Sequence, residues 1–511
     1  MAAAEPVPDD FELHQRALAP GEEEIVPVPE ILDLRKPTTV EVPTPVEPNG
    51  GFIAFPSGLG TQGMRFRTKS GERTVEARNF SRLSASITTN ITNDSRQEAE
   101  TTVASVDLNG QHYIITAFYK YEPVAHIHFR TTDGVSTWSG SLPLPSGYSQ
   151  GSYDPYLAVN PYSNGVMPKT VYLVGNAIQY DCISANYHVA VVGWRSLNGG
   201  RNWQGPVIIA TSVSSTRTNA VDKAHIAVSW HPSTRGWIYI GYSDASGRLV
   251  VHRSQNGGLS FSGPYVITSI NSYKKNINGL QFLVSPFTGY LYALWNDFNS
   301  DRIYWDRSVD HGISWSARSV FPNASTPAHF LMKKQGLQGL SQAPSFPIAR
   351  FNWPAGKISV VWHECNGKPF VNCIGNGMHT DVYYASIGSN GATNKIRIND
   401  DFAFNDQFMP ALDFNAAGNV LATFYDRRDD PDNVNYSLYR AWINSSGYPL
   451  SGNQSVSTFS STPMANVAQP RFLGDYHETW MSTISGMDIW YSSWVGENSG
   501  NMDIFLSTIQ P

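Results

Sequence analysis

One eight-residue segment constrains this chain more than any other. Ser308-Val309-Asp310-His311-Gly312-Ile313-Ser314-Trp315 fills the pattern Ser-x-Asp-x-Gly-x-x-Trp, and looser copies recur upstream. Ser196 to Trp203 keeps Gly200 and Trp203 but carries Asn198 for the Asp. Ser254 to Phe261 keeps Gly258, with Asn256 and Phe261 in the other two places. Thr131 to Trp138 keeps Asp133 and Trp138 and has its glycine one position early, at Gly134. The aromatic ends lie 65, 58 and 54 residues apart, so a structural unit takes about 60 residues. In such a segment the carboxylate or amide accepts backbone N–H groups inside a turn. Glycine supplies a conformation other residues avoid, and the ring plugs an apolar layer. Asp133, Trp138, Asn198, Trp203, Asn256, Phe261, Asp310 and Trp315 therefore read as structural, with the chemistry elsewhere.

A strand ending in arginine precedes each copy: Phe129-Arg130, Trp194-Arg195, His252-Arg253 and Asp306-Arg307. The same strand recurs without a good turn at Tyr383 to Ser386, Leu438 to Ala441 and Ile504 to Ser507, which brings the count to seven units. Each unit reads as an inner strand, a Gly or Asn turn, a second strand and then the strand before the turn. The expected fold is all-β, a seven-bladed (alternatively six-bladed) β-propeller. Its last blade ends after three strands, so a strand within residues 74–92 should complete it and leave no open sheet edge.

Composition agrees and narrows the function. Aromatic residues make up 12% of the 511, with 42 glycines, which favours strands and tight turns. Residues 1–60 read as a Pro-rich acidic arm or linker and 61–511 as the propeller; residues 1 to 50 alone hold nine of the 32 prolines. A formal charge of -6 offers no field for a phosphate backbone, so nucleic acid is not an expected partner. No apolar run approaches the roughly 18 residues of a membrane span. The first residues show no signal peptide, which we expect to have been removed, because Cys365 and Cys373 flank a short polar loop and could form a disulfide in an extracellular or periplasmic setting. Two free thiols are the alternative, and Cys182 is left over in either case.

The repeated turn joins third to fourth strands, so it marks the face opposite the loops that lead into inner strands. Candidate site residues collect on those loops. Second-strand ends contribute Trp295, Asp297, Trp362, His363, Glu364, Asp426, Arg427 and Arg428, and inner-strand starts contribute Tyr153, Asp154, Lys223, His225, Asp475 and Tyr476. Arg427 and Arg428 sit among carboxylates and could grip a ligand carboxylate, or could make a salt-bridged loop. Asp475 beside Tyr476 could activate the phenol or merely hydrogen-bond to it. His363 and Glu364 are adjacent on a strand and point to opposite faces, so one of them is expected to face the channel. Arg427 and Tyr476 are expected to share one central pocket. No zinc spacing and no phosphate-cradling glycine loop occurs, so no cofactor is expected. A structural Ca²⁺ among Asp426, Asp429, Asp430 and Asp432 stays open.

From about residue 90 onward these repeats resemble those of the Asp-box (BNR repeat) sialidase-like propellers. The ordering Asp406-Gln407-Phe408, then Tyr425-Asp426-Arg427-Arg428, then Gly474-Asp475-Tyr476 is similar to bacterial exo-sialidases. Sialidases pair an arginine triad for the substrate carboxylate with a Tyr/Glu nucleophile pair and an Asp acid/base. This chain departs from them in lacking an early Arg-Ile-Pro motif and in having seven units where they have six blades. The resemblance implies a secreted protein acting on a glycan or polysaccharide that contains an acidic sugar. It would be a hydrolase, or a polysaccharide lyase, with catalytic candidates Tyr476, Asp475, Glu364, His363 and Asp426. The ligand-binding candidates are Arg427, Arg428, Trp295, Asp297, Trp362, Lys223, His225, Tyr153 and Asp154. The alternative is a non-catalytic glycan-binding (lectin-like) or protein-binding propeller, with Trp295 and Trp362 as platforms. The sequence leaves the sugar, the linkage and the oligomeric state open.

Overall fold

In the computed structural model, residues 86–510 are described apart from short internal stretches, the longest being 269–276, 329–336, 366–378 and 464–471. A two-stranded hairpin of Arg65–Thr68 and Gly71–Thr74 is also described. The expected arm, residues 1–60, and Cys373 lie outside the described residues.

Beyond this hairpin, the described residues form seven antiparallel sheets. Blade one comprises Glu98–Leu108, Gln111–Tyr121, Ala125–Thr132 and Thr137–Ser141. Blade two runs Ser152–Asn160, Thr170–Asp181, Asn186–Ser196 and Gln204–Ser214. Blade three is Asp222–Val228, Ile238–Ser243, Leu249–Ser254 and Ser262–Thr268, and blade four Ile277–Val284, Leu291–Asp297, Arg302–Ser308 and Ser319–Phe321. Blade five has Ile348–Asn352, Lys357–Cys365 and Thr380–Gly388, with two short outer pieces at Gly391–Ala392 and Ile396–Arg397. Blade six is Gln407–Phe414, Val420–Asp426, Ser437–Ile443 and Gln454–Ser455. Blade seven takes Glu478–Ile484, Met487–Asn498 and Asn501–Ile509, and its outer strand is Ser86–Asn90. Inner strands contact one another around the ring, blade seven against blade one included. The count is therefore seven, and the six-bladed alternative is set aside.

The apolar core lies in the seams between blades. One cluster joins Ile115 and Ala117 of blade one to Leu157 and Leu173 of blade two, and the next joins Val174 and Val191 to Ile226 and Ile240 of blade three. Another joins Val103 and Phe118 of blade one to Trp490 and Ile504 of blade seven. No helix among the described residues is long and apolar enough to cross a membrane.

The repeated turns explain themselves locally. In blades two to four the serine hydroxyl accepts the glycine N–H at 2.8 to 2.9 Å, and the Asn or Asp oxygen accepts the N–H four residues on at 2.9 to 3.0 Å. Gly312 holds φ 86°, in the left-handed region that its place in the turn demands. In blade one Asp133 reaches only Val135 and Ser136, the turn being drawn tighter by the early Gly134. Two of the arginines before the turns tie neighbouring blades together. Arg195 donates to the Gly257 carbonyl in the next blade's turn at 2.9 Å, and Arg253 to the His311 carbonyl at 3.2 Å.

Candidate functional site

The register of the inner strands places the site. Glu98 pairs with Lys120 at one end of blade one, while Leu108 pairs with Gln111 at the other, where the Asp133 turn lies. Inner strands thus start on the face away from the turns. Just after that start a bulge interrupts pairing in five blades, between Ala99 and Thr101, Tyr153 and Tyr156, Asp222 and His225, Asn278 and Gln281, and Phe408 and Ala411. The bulged residues sit in the left-handed region: Glu100 at φ 47°, Asp154 at 55°, Lys223 at 50°, Gly279 at 66° and Met409 at 46°. For a residue with a side chain this conformation costs of order 1 kcal/mol or more, and such costs gather at functional sites. A bulge re-aims a side chain.

Here it aims three charged ones at a single point. Lys223 Nζ bonds Glu100 Oε1 at 2.9 Å, contacts Asp154 Oδ1, and meets Asp475 Oδ2 at 2.7 Å. The oxygens of Glu100, Asp154 and Asp475 lie within 4.8 Å of one another, and all three residues are buried. Asp475 arrives from the blade-seven side because Gly474 precedes it. A Cβ at Gly474 would come within 2.5 Å of the Glu100 nitrogen, so only glycine lets that backbone close against blade one.

Burial, seconded by Glu100, pushes the Asp154 carboxyl well above the usual carboxylate range. Burial works against the charge of Lys223, yet Asp154, Asp475 and Glu100 together hold its ammonium well above the ordinary lysine value. Tyr476 and Tyr119 flank the cluster half-buried, and desolvation raises both phenols well above their ordinary value. The Tyr476 hydroxyl donates to the Pro155 carbonyl at 2.7 Å. Arg217 covers the Tyr153 ring at 4.2 Å beside the cluster.

A second polar layer lies deeper along the axis. Arg350 of blade five contacts Glu478 of blade seven and reaches the Tyr156 hydroxyl of blade two at 3.3 Å. Glu478 also takes the Thr102 hydroxyl of blade one. Burial raises Glu478 although Arg350 opposes it. Glu100, Tyr156 and Arg350 escaped the sequence reading. Glu100 sits at the bulge of blade one and Tyr156 two residues past the bulged Asp154 of blade two, while Arg350 lies in the inner strand of blade five, where pairing runs without a bulge, and no turn motif marks any of them.

The structure divides the remaining candidates. Asp475, Tyr476, Lys223 and Asp154 converge as described, with Tyr153 alongside. Arg427 does not join Tyr476 in a central pocket. It is fully buried in blade six, over Phe408 at 5.1 Å, donating to the Asn433 carbonyl at 2.9 Å and facing Asp406 at 3.4 Å. Arg428 pairs with Asp426 at 2.7 Å and Asp400 at 2.7 Å, so the acidic and basic run closes on itself as a salt-bridged loop. Burial pushes Asp426 up to about 6 against the pull of Arg428. Asp429 accepts the Tyr439 hydroxyl and Asp430 the N–H of Asp432, Val434 and Asn435, so these carboxylates turn to separate partners. Trp295 and Trp362 are fully buried within their blades and present no platform, because large rings fill the seams. Glu364 accepts the Trp362 Nε1 proton at 3.0 Å and contacts Lys395, while Asp297 faces Arg318 at 3.7 Å. His225 and His363 are buried with Nδ1 accepting backbone N–H groups of the next blade, from Phe282 at 3.1 Å and Met409 at 3.2 Å. Cys365 is disulfide-bonded and Cys182 is free and exposed.

No family model and no curated protein matches the chain. Among solved structures it is similar to the NanB sialidase of Streptococcus pneumoniae (TM-score 0.43, 9% identity, 65% of this chain and 66% of that one). It is similar also to the BP39L lectin of Burkholderia pseudomallei (TM-score 0.47, 13% identity, 80% and 98%) and to the Trypanosoma rangeli sialidase (TM-score 0.39, 10% identity, 88% and 57%). The matches span less than two thirds of either sialidase chain. At these values no residue of one can be assigned to a residue of another.

Proposed function

We propose that the chain acts on glycans on the face where the inner strands start, cleaving a glycosidic bond with the carboxylates around Lys223. The observation that carries this reading is the convergence of Glu100, Asp154 and Asp475 on one ammonium, from bulges and a glycine turn that cost conformational energy to keep. Glycoside cleavage needs one carboxyl that keeps its proton and one that has lost it. Burial and its neighbour Glu100 push the Asp154 carboxyl upward against the pull of Lys223, which suits it to serve as the acid toward the leaving oxygen. Asp475, ion-paired to Lys223, serves as the nucleophile or base. The oxygens of Asp154 and Asp475 lie within 4.8 Å of each other, a short spacing of the kind that goes with a covalent intermediate and retention at the anomeric carbon. Tyr119 and Tyr476, half-buried at the margin, offer the first surface a sugar ring would meet. The disulfide at Cys365 supports an oxidising, extracellular or periplasmic setting.

The test is a panel of acidic and neutral glycans assayed for new reducing ends, for unsaturated-product absorbance, and for anomeric configuration by NMR. Reducing ends formed with retention support the reading. An unsaturated product would replace it with a lyase, and binding without turnover would replace it with a lectin.

A further inference from the structure

We propose that His225 and His363, which the sequence offers as bases or ligands, are instead acid-sensitive latches that hold the ring closed at the seams between blades three and four and between blades five and six. The geometry carries this. A backbone N–H has a fixed proton, so an imidazole nitrogen that receives it must present a lone pair. His225 Nδ1 receives the Phe282 N–H, from the inner strand of blade four, at 3.1 Å. His363 Nδ1 receives the Met409 N–H, at the bulge of blade six, at 3.2 Å. In both rings the remaining proton belongs on Nε2, which for His363 faces the Ala343 carbonyl at 3.3 Å. A second proton has only Nδ1 to go to, and there it would set N–H against N–H across the seam.

Other seams use acceptors of the same kind that do not titrate near neutrality or that titrate the opposite way. Thr102 Oγ1 accepts Leu157 N–H at 3.3 Å between blades one and two, and Gln281 Oε1 accepts Ala349 N–H at 3.5 Å between blades four and five. Asp413 Oδ2 accepts Met481 N–H at 2.6 Å between blades six and seven. A side-chain acceptor for the next blade's N–H thus recurs from seam to seam, on the inner strand for Thr102, His225, Gln281 and Asp413 and on the second strand for His363, and two of these acceptors are histidines.

The groups facing each ring agree with a neutral state. Around His225 stand the Tyr156 ring of blade two at 3.9 Å, Gln281 of blade four and the Arg350 guanidinium of blade five, whose charge adds to burial in holding the imidazole well below its ordinary value. Around His363, burial alone depresses the imidazole to about 3, against the weak opposing pull of the Ala343 carbonyl. A histidine whose folded value lies below the unfolded one contributes stability above the unfolded value, near 6.5, and loses it as pH falls toward the folded one. Asp413, pushed up to about 6 by burial, and Glu478, also raised, work the other way and gain as pH falls.

The experiment compares wild type with His225→Asn and His363→Asn, singly and together, by denaturant unfolding across pH 7 to pH 4. Asn keeps an acceptor near the place of Nδ1 and does not titrate. In the wild type each latch should cost about a tenfold fall in the folded-to-unfolded ratio per pH unit below about 6. Relative to wild type, each single variant should regain about tenfold per unit and the double variant about a hundredfold, because the carboxylates are common to all. Equal pH slopes in folded variants overturn the proposal. Should the variants fail to fold, imidazole ¹⁵N spectra of the wild type decide. Two Nε2–H neutral rings persisting to pH 5 support the latches, and protonation near 6.5 with the fold intact refutes them.

Discussion

The turns that close the third strands and the bulges that open the inner strands both occur at equivalent places in successive blades, yet they have been filled differently. At the turns, blades two, three and four repeat one set of bonds almost atom for atom, from Ser196, Ser254 and Ser308 to their glycines and from Asn198, Asn256 and Asp310 to the N–H four residues on. At the bulges the backbone repeats and the side chains do not: Glu100, Asp154, Lys223, Gly279 and Met409 share one conformation but range from carboxylates through an ammonium to a thioether and no side chain at all. A position that keeps its residue around the ring serves the ring. A position that keeps only its geometry is free to carry charge, and here blades one, two and three use that freedom to bring Glu100, Asp154 and Lys223 together, with Asp475 joining from the glycine turn before blade seven.

The largest effect should come from breaking the bulge side. Lys223→Met leaves three carboxylates buried together without their cation, and should cost about 3–5 kcal/mol in denaturant unfolding at pH 7. The deficit should narrow as pH falls and the carboxylates take up protons. A change equal at pH 7 and pH 4 would mean the ammonium is not what holds them. On the turn side the losses should be smaller and indifferent to pH in this range. Trp315→Ala removes a half-buried ring that packs edge-on against Phe282 at 5.9 Å, and should cost about 2–3 kcal/mol. Asp310→Ala removes the acceptor of the Ser314 N–H at an exposed turn, and should cost about 1 kcal/mol. Were either turn variant to abolish activity while folded, the division between the two faces would fail.

The sequence made the propeller legible because the turn is a local motif: Ser308 to Trp315 needs only its own eight residues to be recognised, and spacing did the rest. The closing strand, Ser86–Asn90, falls inside the window that the missing fourth strand of the last blade required. The axial site was legible only in part. Lys223, Asp154, Asp475 and Tyr476 could be picked out as polar residues where inner strands begin, but nothing local distinguishes them from Arg427 or Trp362, which packing buries. Arg350 and Glu478 meet across 128 residues, from blades not adjacent in the ring. Such a pair is written in the closure of the ring and in no window of sequence. His225 and His363 looked like bases because histidine on a strand edge is chemically suggestive; the neighbouring blade's N–H groups give them other work.

The most direct test sets Asp154→Asn beside Asp310→Asn on the glycan substrate that the panel identifies, with both variants checked for folding. Asn at either position preserves shape and most hydrogen bonds while removing the carboxyl. The account predicts that Asp154→Asn loses roughly 10²–10⁴-fold in kcat, as the loss of a general acid should, while Asp310→Asn turns over like the wild type. Comparable activity in the two variants would contradict it.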